Sequence, residues 1–241
     1  MEFGEVVRRR RMVRNYDPDR PVPPEVVRRL LEHAIRAPSA GFSQGWGFLV
    51  LTEPADRARF WQATTPEART PETTTPEASP PAAAGGATAP DVAAAGPAGE
   101  PPGWLAGMRR APLIIVAHSC RQAYLDRYAE PDKARRLGAA AGSDERRWPI
   151  PYWHVDTGMA ALLILLTAVD HGLGACFFGI PPERVAAYRA AFGVPERFTP
   201  VGAVTVGYPA PDRRSPSLRR GRRGLDEVVH YGRWGPAERS G

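Results

Sequence analysis

Residues 156–179 read DTGMAALLILLTAVDHGLGACFFG. From Met159 to Val169 nearly every side chain is apolar, so a helix here has no polar face to turn to water and must be buried. The spacing predicts that helix over Asp156–His171, with Asp156 as the N-cap and Gly172 as the C-terminal stop. Ala175–Phe178 follows directly as a strand. The run from Met159 to Val169 falls well short of the roughly 20 apolar residues that span a bilayer, so no membrane segment is expected.

Working outward, Pro24–Arg36 carries Val26, Val27, Leu30, Leu31 and Ala34 at helical spacing, with Pro24 in the first turn and Pro38 beyond the end. Trp46–Thr52, Pro112–His118 and Pro200–Val206 read as strands, and Pro181–Phe192 as an amphipathic helix. Helices and strands interleave, and no GxGxxG follows the first strand. An α+β fold with a sheet flanked by helices therefore fits better than a doubly wound dinucleotide-binding sheet. From about Thr64 to Gly103 the composition shifts to Ala, Pro, Thr and Gly, as in TPETTTPEASPPAAAGGATAP. That stretch lacks the large apolar residues needed to offset the entropy of ordering, and is expected to be a disordered insertion within a single domain spanning 1–241. A second polar stretch, Glu130–Arg147, reads as a short helix or part of a lid.

With 241 residues, 43% hydrophobic and 24% charged, the chain can bury a real core. The arginine-rich N-terminus has no apolar stretch behind it, so no secretory leader is expected. Cys120 and Cys176 have no CxxC spacing and read as reduced, buried thiols of a cytoplasmic protein. No His/Cys cluster has metal-ligand spacing. The net charge of +6 is almost all arginine, with Lys133 the single lysine. It suits anionic ligands, phosphates and nucleic acids alike.

Three clusters carry candidate chemistry. Arg8–Arg11 and Arg14 precede Asn15, Tyr16 and Asp17; guanidinium forks bind phosphate oxygens bidentately and stay charged. Taken alone the cluster reads first as a solvated basic face or a nucleic-acid patch. Ala37–Trp46 (APSAGFSQGW) is small and polar, so its backbone can approach a ligand closely, with Ser39 and Gln44 adding donors and acceptors; the bland alternative is an ordinary turn. Arg219–Arg223 alone reads as a basic tail, but Leu225, Val228, Val229 and Tyr231 after it are apolar enough to dock on a fold.

The order of these clusters resembles the nitroreductase family of FMN-dependent NAD(P)H oxidoreductases. Residues 10–16, RRMVRNY, are similar to its RRSxRxF signature, and Ala37–Trp46 to its APSxxNxQPW segment. Gly172–Gly179 resembles the strand that passes beside the flavin. Pro200–Tyr208 resembles the late strand ending in Gly-Tyr-Pro, and Arg220–Arg222 the phosphate-binding basic pair. The resemblance implies a two-layer sandwich with a mixed, mainly antiparallel sheet and a long buried central helix. It also implies a homodimer paired through its long helices, with FMN at the subunit interface and no partner among nucleic acids or membranes.

For individual residues, the resemblance implies that Arg10 and Arg11 reach the FMN phosphate and ribityl end, and that Arg14 sits near N1 and O2 of the ring, where a fixed cation favours negative charge. Met12 stands where the family has Ser, so a contact there is through backbone. Pro38, Ser39 and Ala40 would meet the flavin from the partner subunit. Phe42, in place of the family Asn, would supply an aromatic wall, with Gln44 in register and Gly45 in place of Pro. Phe178 and Gly179 would present backbone groups near N5, and Arg220 and Arg222 would complete the phosphate site.

On this resemblance NADH or NADPH is the cosubstrate and the mechanism is ping-pong, with a small nitroaromatic, quinone or similar conjugated acceptor. No protein catalytic group is implied, because the flavin carries the chemistry. Flavin fragmentation, dehalogenation, azoline oxidation and a non-catalytic flavin-binding role remain alternatives. Trp148, Tyr152, Trp153 and His154 read as core or interface, with a wall over the flavin as the rival. His33, His118, His171 and His230 read as structural, and Asp170 and Glu183 as helix-terminus charges. If the insertion is dispensable, deleting Pro71–Pro101 leaves soluble protein with its flavin content and oligomeric state unchanged; loss of soluble protein contradicts this.

Overall fold

Four strands form the sheet: β1 (Trp46–Leu51), β2 (Leu113–Ser119), β3 (Gly174–Phe178) and β4 (Thr199–Gly207). Their order is β1-β2-β4-β3, and every pairing between them is antiparallel. Met12 adds a parallel bridge to Ala175 on the outer edge of β3. The structure is a computed structural model and describes residues 1–65, 103–137, 148–212 and 215–235.

Nine α-helices lie among the described residues: α1 (Phe3–Arg9), α2 (Pro24–Ala34), α3 (Pro54–Thr64), α4 (Gly103–Arg109), α5 (Arg121–Ala129), α6 (Pro131–Leu137), α7 (Tyr152–Asp170), α8 (Val185–Phe192) and α9 (Leu225–Val228). β2 is buried along its whole length, because helices cover both faces of the sheet. Alternation sorts its residues. Leu113 and Ile115 face Leu30 and Ala34 of α2 and Ile164 and Ala168 of α7. Ile114 and Val116 face Phe60 and Trp61 of α3, Met108 of α4 and Tyr188 of α8. The α+β class, the antiparallel sheet and the long central helix expected from sequence are all present.

The central helix ends as expected. Gly172 has φ +71°, and Leu173 N donates to Ala168 O across the turn. Its start differs. The helix begins at Tyr152 behind Pro151, so Asp156 lies inside it and is not the N-cap. The local pattern fits a cap, but the Asp156 carboxylate accepts hydrogen bonds from two other parts of the chain, described below. By length and composition alone this 19-residue helix could cross a bilayer, which the sequence reading did not allow. Half of it is packed inside the fold, against α2 and the sheet, and it serves as the core helix. Of the expected insertion only the edges are described: Thr64 closes α3 and Gly103 opens α4, and residues 66–102 lie outside the described residues. Within Glu130–Arg147 the helix α6 is present, and 138–147 lie outside.

α4 matters for the N-terminal arginines. Gly107 lies so close to the preceding segment that a Cβ there would sit 2.2 Å from the Arg14 carbonyl oxygen. Gly107→Ala must push two backbones apart, and overpacking of this kind costs about 1–3 kcal/mol. Thermal unfolding of the variant is expected at a clearly lower temperature; an unchanged midpoint would show that α4 does not set the position of Arg14.

Candidate functional site

The segment after α1 is held on two sides. Met12 bridges to Ala175, and Val13 N donates to Ala175 O at 3.0 Å. Tyr16 bridges to Pro209, Asp17 N donates to Tyr208 O at 2.9 Å, and Ala210 N donates to Asn15 O at 3.1 Å. Tyr16 is fully buried, and its hydroxyl donates to Val13 O at 2.6 Å and lies 2.9 Å from Thr205 Oγ1. Burial pushes that phenol well above its ordinary range, so it remains a donor. The two ends of the folded chain are thereby brought together as far as Asp212, whose Oδ2 accepts from Arg14 N at 2.9 Å and lies 3.5 Å from Arg11 Nη1.

The expected phosphate ligands differ in their surroundings. Arg11 already faces Asp212, and Arg9 pairs with Glu5. The guanidinium groups of Arg10, Arg14, Arg220 and Arg222 have no carboxylate partner among the described residues. Arg220 and Arg222 are exposed around a short 3-10 turn, Pro216–Arg220, and no hydrogen bond joins them to Arg10 or Arg14. Met12 turns inward: its Sδ accepts from Phe177 N at 3.5 Å, and its side chain packs between the two core clusters. The ring of Phe178 stacks on Trp61, centroids 5.6 Å apart and 8° from parallel, and Gly179 beyond it is exposed.

The Ala37–Trp46 loop is wound more tightly than an ordinary turn. Gly41, Phe42 and Gln44 all have positive φ, which non-glycine residues adopt at a cost. Phe42 N donates to Ser39 O, Ser43 N to Ala40 O, and Gln44 N to Ser39 Oγ. Ala40 N donates to Asp156 Oδ2 at 2.8 Å. Ser39 Oγ and the Ala40 amide are thus committed within the protein, while Pro38, Phe42 and Gln44 are exposed, Phe42 to 75%. Gly45, which departs from the family Pro, has a steric reason: a Cβ there would meet the Tyr124 ring at 2.5 Å and Cys120 O at 2.8 Å.

These two groups of residues lie at opposite ends of the sheet. Met12 sits on the rung Met12–Ala175–Val206–Leu113, and Trp46 pairs with Ser119. Leu113 and Ser119 are six residues apart on β2, roughly 20 Å at the rise of a strand.

Sequence reasoning missed the side chains that hold the loop. Tyr124 OH donates to Asp156 Oδ2 at 2.7 Å, and Arg127 Nε donates to Gly41 O at 3.0 Å. Their spacing on α5 is helical, but nothing local ties them to residues about 80 positions earlier. Trp148 is packed edge-on against Tyr124, Tyr128 and Tyr152 and tilted against Trp153; Trp153 is buried, while Tyr152 is 42% exposed. Four of the five histidines have internal partners: His33 with Thr167, His118 with Tyr188, His154 with Ser119 and His230 with Gly235 O. Burial pushes His118 and His154 below the usual imidazole range. Both cysteines are free and buried, and burial raises the Cys176 thiol to about 11. Asp170 receives the N-terminal ammonium of Met1 at 2.5 Å.

Residues 7–208 match the Nitroreductase family. An NADH dehydrogenase of Thermus thermophilus is 31% identical over 231 residues, covering 88% of this chain and 90% of its own. A Methanothermobacter thermautotrophicus protein assigned as an NADH dehydrogenase/NAD(P)H nitroreductase is 27% identical, covering 87% of this chain and 78% of its own. Among solved structures, a Desulfovibrio desulfuricans protein assigned as a nitroreductase, in complex with FMN, superposes with a TM-score of 0.62 at 22% identity. It covers 98% of this chain and 99% of its own. The match to the family spans most of the chain and agrees with the fold: this protein belongs to the nitroreductase family.

Proposed function

We propose that the chain is an FMN-dependent oxidoreductase, a cytoplasmic homodimer that takes reducing equivalents from NADH or NADPH in a ping-pong cycle. It delivers them to a small conjugated acceptor such as a nitroaromatic or quinone. Family membership supports the oxidoreductase class, and the FMN in the Desulfovibrio relative supports the cofactor. FMN, when bound, supplies hydride acceptance and delivery at N5.

The donor set fits a phosphorylated flavin. Arg10, Arg14, Arg220 and Arg222 are cations without carboxylate partners among the described residues, and a phosphate or an electron-rich ring edge supplies the missing charge. In this proposal Arg10 and Arg11, with Arg220 and Arg222, hold the phosphate, and Arg14 lies beside the N1–O2 edge. Met12, its side chain packed inward, offers backbone only. Phe178 and Gly179 offer backbone to the ring, because the Phe178 side chain is already stacked on Trp61. Pro38, Ser39, Ala40, Phe42 and Gln44 form the opposite wall.

One observation carries the dimeric form of this site. The arginine segment and the Pro38–Gln44 loop are roughly 20 Å apart along the sheet of one subunit, too far to close on one ring. Two copies packed antiparallel along α7 bring the loop of one to the arginines of the other. Val155 and Leu162 of α7, Phe3 and Val7 of α1, and Tyr231 and Trp234 are exposed in the single chain and provide the apolar surface for such packing.

The test is anaerobic titration of the purified, FMN-loaded protein with NADH and with NADPH, followed by an acceptor. Bleaching of the flavin absorbance and its recovery with a nitroaromatic or quinone is expected. Bound flavin that no donor and acceptor turn over would assign a binding role instead, and protein that takes up no FMN would end the proposal. Arg220→Ala and Arg222→Ala are each expected to weaken FMN binding by about 1.5–3 kcal/mol, the range for a hydrogen bond to a charged group. Unchanged affinity in both would remove the C-terminal pair from the site.

A further inference from the structure

Asp156 is a buried carboxylate in a mostly apolar helix, 2% exposed. A single oxygen, Oδ2, accepts from both Ala40 N at 2.8 Å and Tyr124 OH at 2.7 Å. Burying an ionisable group is unfavourable unless its hydrogen bonds are made, so a carboxylate kept here needs those two donors as much as they need it. Tyr124 is itself fully buried. Without Asp156 its hydroxyl and the Ala40 amide would both lose their acceptor.

The other side of the loop is held by the same helix that carries Tyr124. Arg127 Nε donates to Gly41 O, and its Nη atoms form a bidentate pair with Asp132, both contacts 2.7 Å. The Tyr128 ring lies where a Cβ on Gly41 would stand, at 2.6 Å. Tyr124, Arg127 and Tyr128 share one helical face, and that face is turned to the loop. Between these supports the backbone passes through three left-handed residues, two of them not glycine. Such a conformation persists only where its surroundings impose it.

We propose that Asp156 is a positioning residue for the flavin site. Acting through Ala40 N and Tyr124, it holds residues 39–44 in their left-handed form, so that Phe42 and Gln44 are presented to the cofactor. This rests on the assignment of that loop to the flavin made above. The carboxylate touches no reacting atom and takes no part in electron transfer.

The test compares Asp156→Ala, Asp156→Asn and Tyr124→Phe in the full chain with Ile164→Ala, a truncation in the buried part of the same helix. Two readouts are used: amide hydrogen exchange at residues 40–44 and the FMN dissociation constant from fluorescence titration. Asp156→Ala is expected to speed exchange at those amides. It should also weaken FMN binding about tenfold, as expected for a buried hydrogen-bond partner removed. Ile164→Ala should lower the unfolding temperature without either change. Asp156→Asn retains an oxygen that can accept from both donors and should restore most of the affinity. The proposal is overturned if Asp156→Ala matches Ile164→Ala in both readouts, or if Asn is no better than Ala. Should Asp156→Ala fail to fold, Asp156→Asn and Tyr124→Phe decide: Asn near wild type with faster loop exchange in Tyr124→Phe supports it, and wild-type exchange in Tyr124→Phe overturns it. Wild-type protein that takes up no FMN overturns the flavin assignment together with this proposal. Wild-type binding with an indifferent Asp156→Ala overturns this proposal alone.

Discussion

The attachment of residues 12–17 to the sheet is the constraint on which the rest depends. Tyr16 is buried without residual exposure, and its hydroxyl reaches Val13 O and the Thr205 hydroxyl. Around it, backbone bonds run to Ala175 on one side and to Tyr208 and Ala210 on the other. A segment dense in charge would otherwise be solvated. Here its apolar residues, Met12, Val13 and Tyr16, pack inward, Arg11 is exposed, and Asp212 accepts from the amide of half-buried Arg14. Asp212 orients this region chiefly through the Arg14 amide, at 2.9 Å; its contact with the Arg11 guanidinium is longer, at 3.5 Å.

The second organising feature is the loop at the far end of the sheet. Its left-handed residues, its internal hydrogen bonds and its clamps from α5 and α7 hold it on both sides. In the proposed site that loop and the arginine segment act on one ligand only when contributed by two copies, and a preformed loop lowers the cost of such binding. Asp156 links the loop to the central helix, whose exposed apolar residues are the proposed contact between copies.

Most of the fold was legible in the sequence because it follows from short-range pattern. The apolar run after Met159, the glycine at 172 and the continuous apolar run of β2 each specify an element without reference to anything distant. What was not legible depends on contacts across the chain. Asp156 has the local credentials of an N-cap, yet tertiary donors claim it and the helix starts at Tyr152. Gly45 reads as a weakened motif until the Tyr124 ring is seen against it. Met12 in place of serine reads as a lost ligand, and the structure shows a sulfur filling the core beside Phe177. The arginines at 220 and 222 were legible as a cluster, and neither pairs with a carboxylate among the described residues.

The central claim is that arginines from both ends of one copy, and the 38–44 loop of another, surround one flavin. The most direct measurement is a crystal structure of the full chain grown with FMN. The account predicts the flavin phosphate within hydrogen-bond distance of Arg10 or Arg11 and of Arg220 or Arg222 in one copy, with Phe42 of a second copy against the ring. A phosphate touching none of these arginines, or a ring enclosed by a single copy, would contradict it.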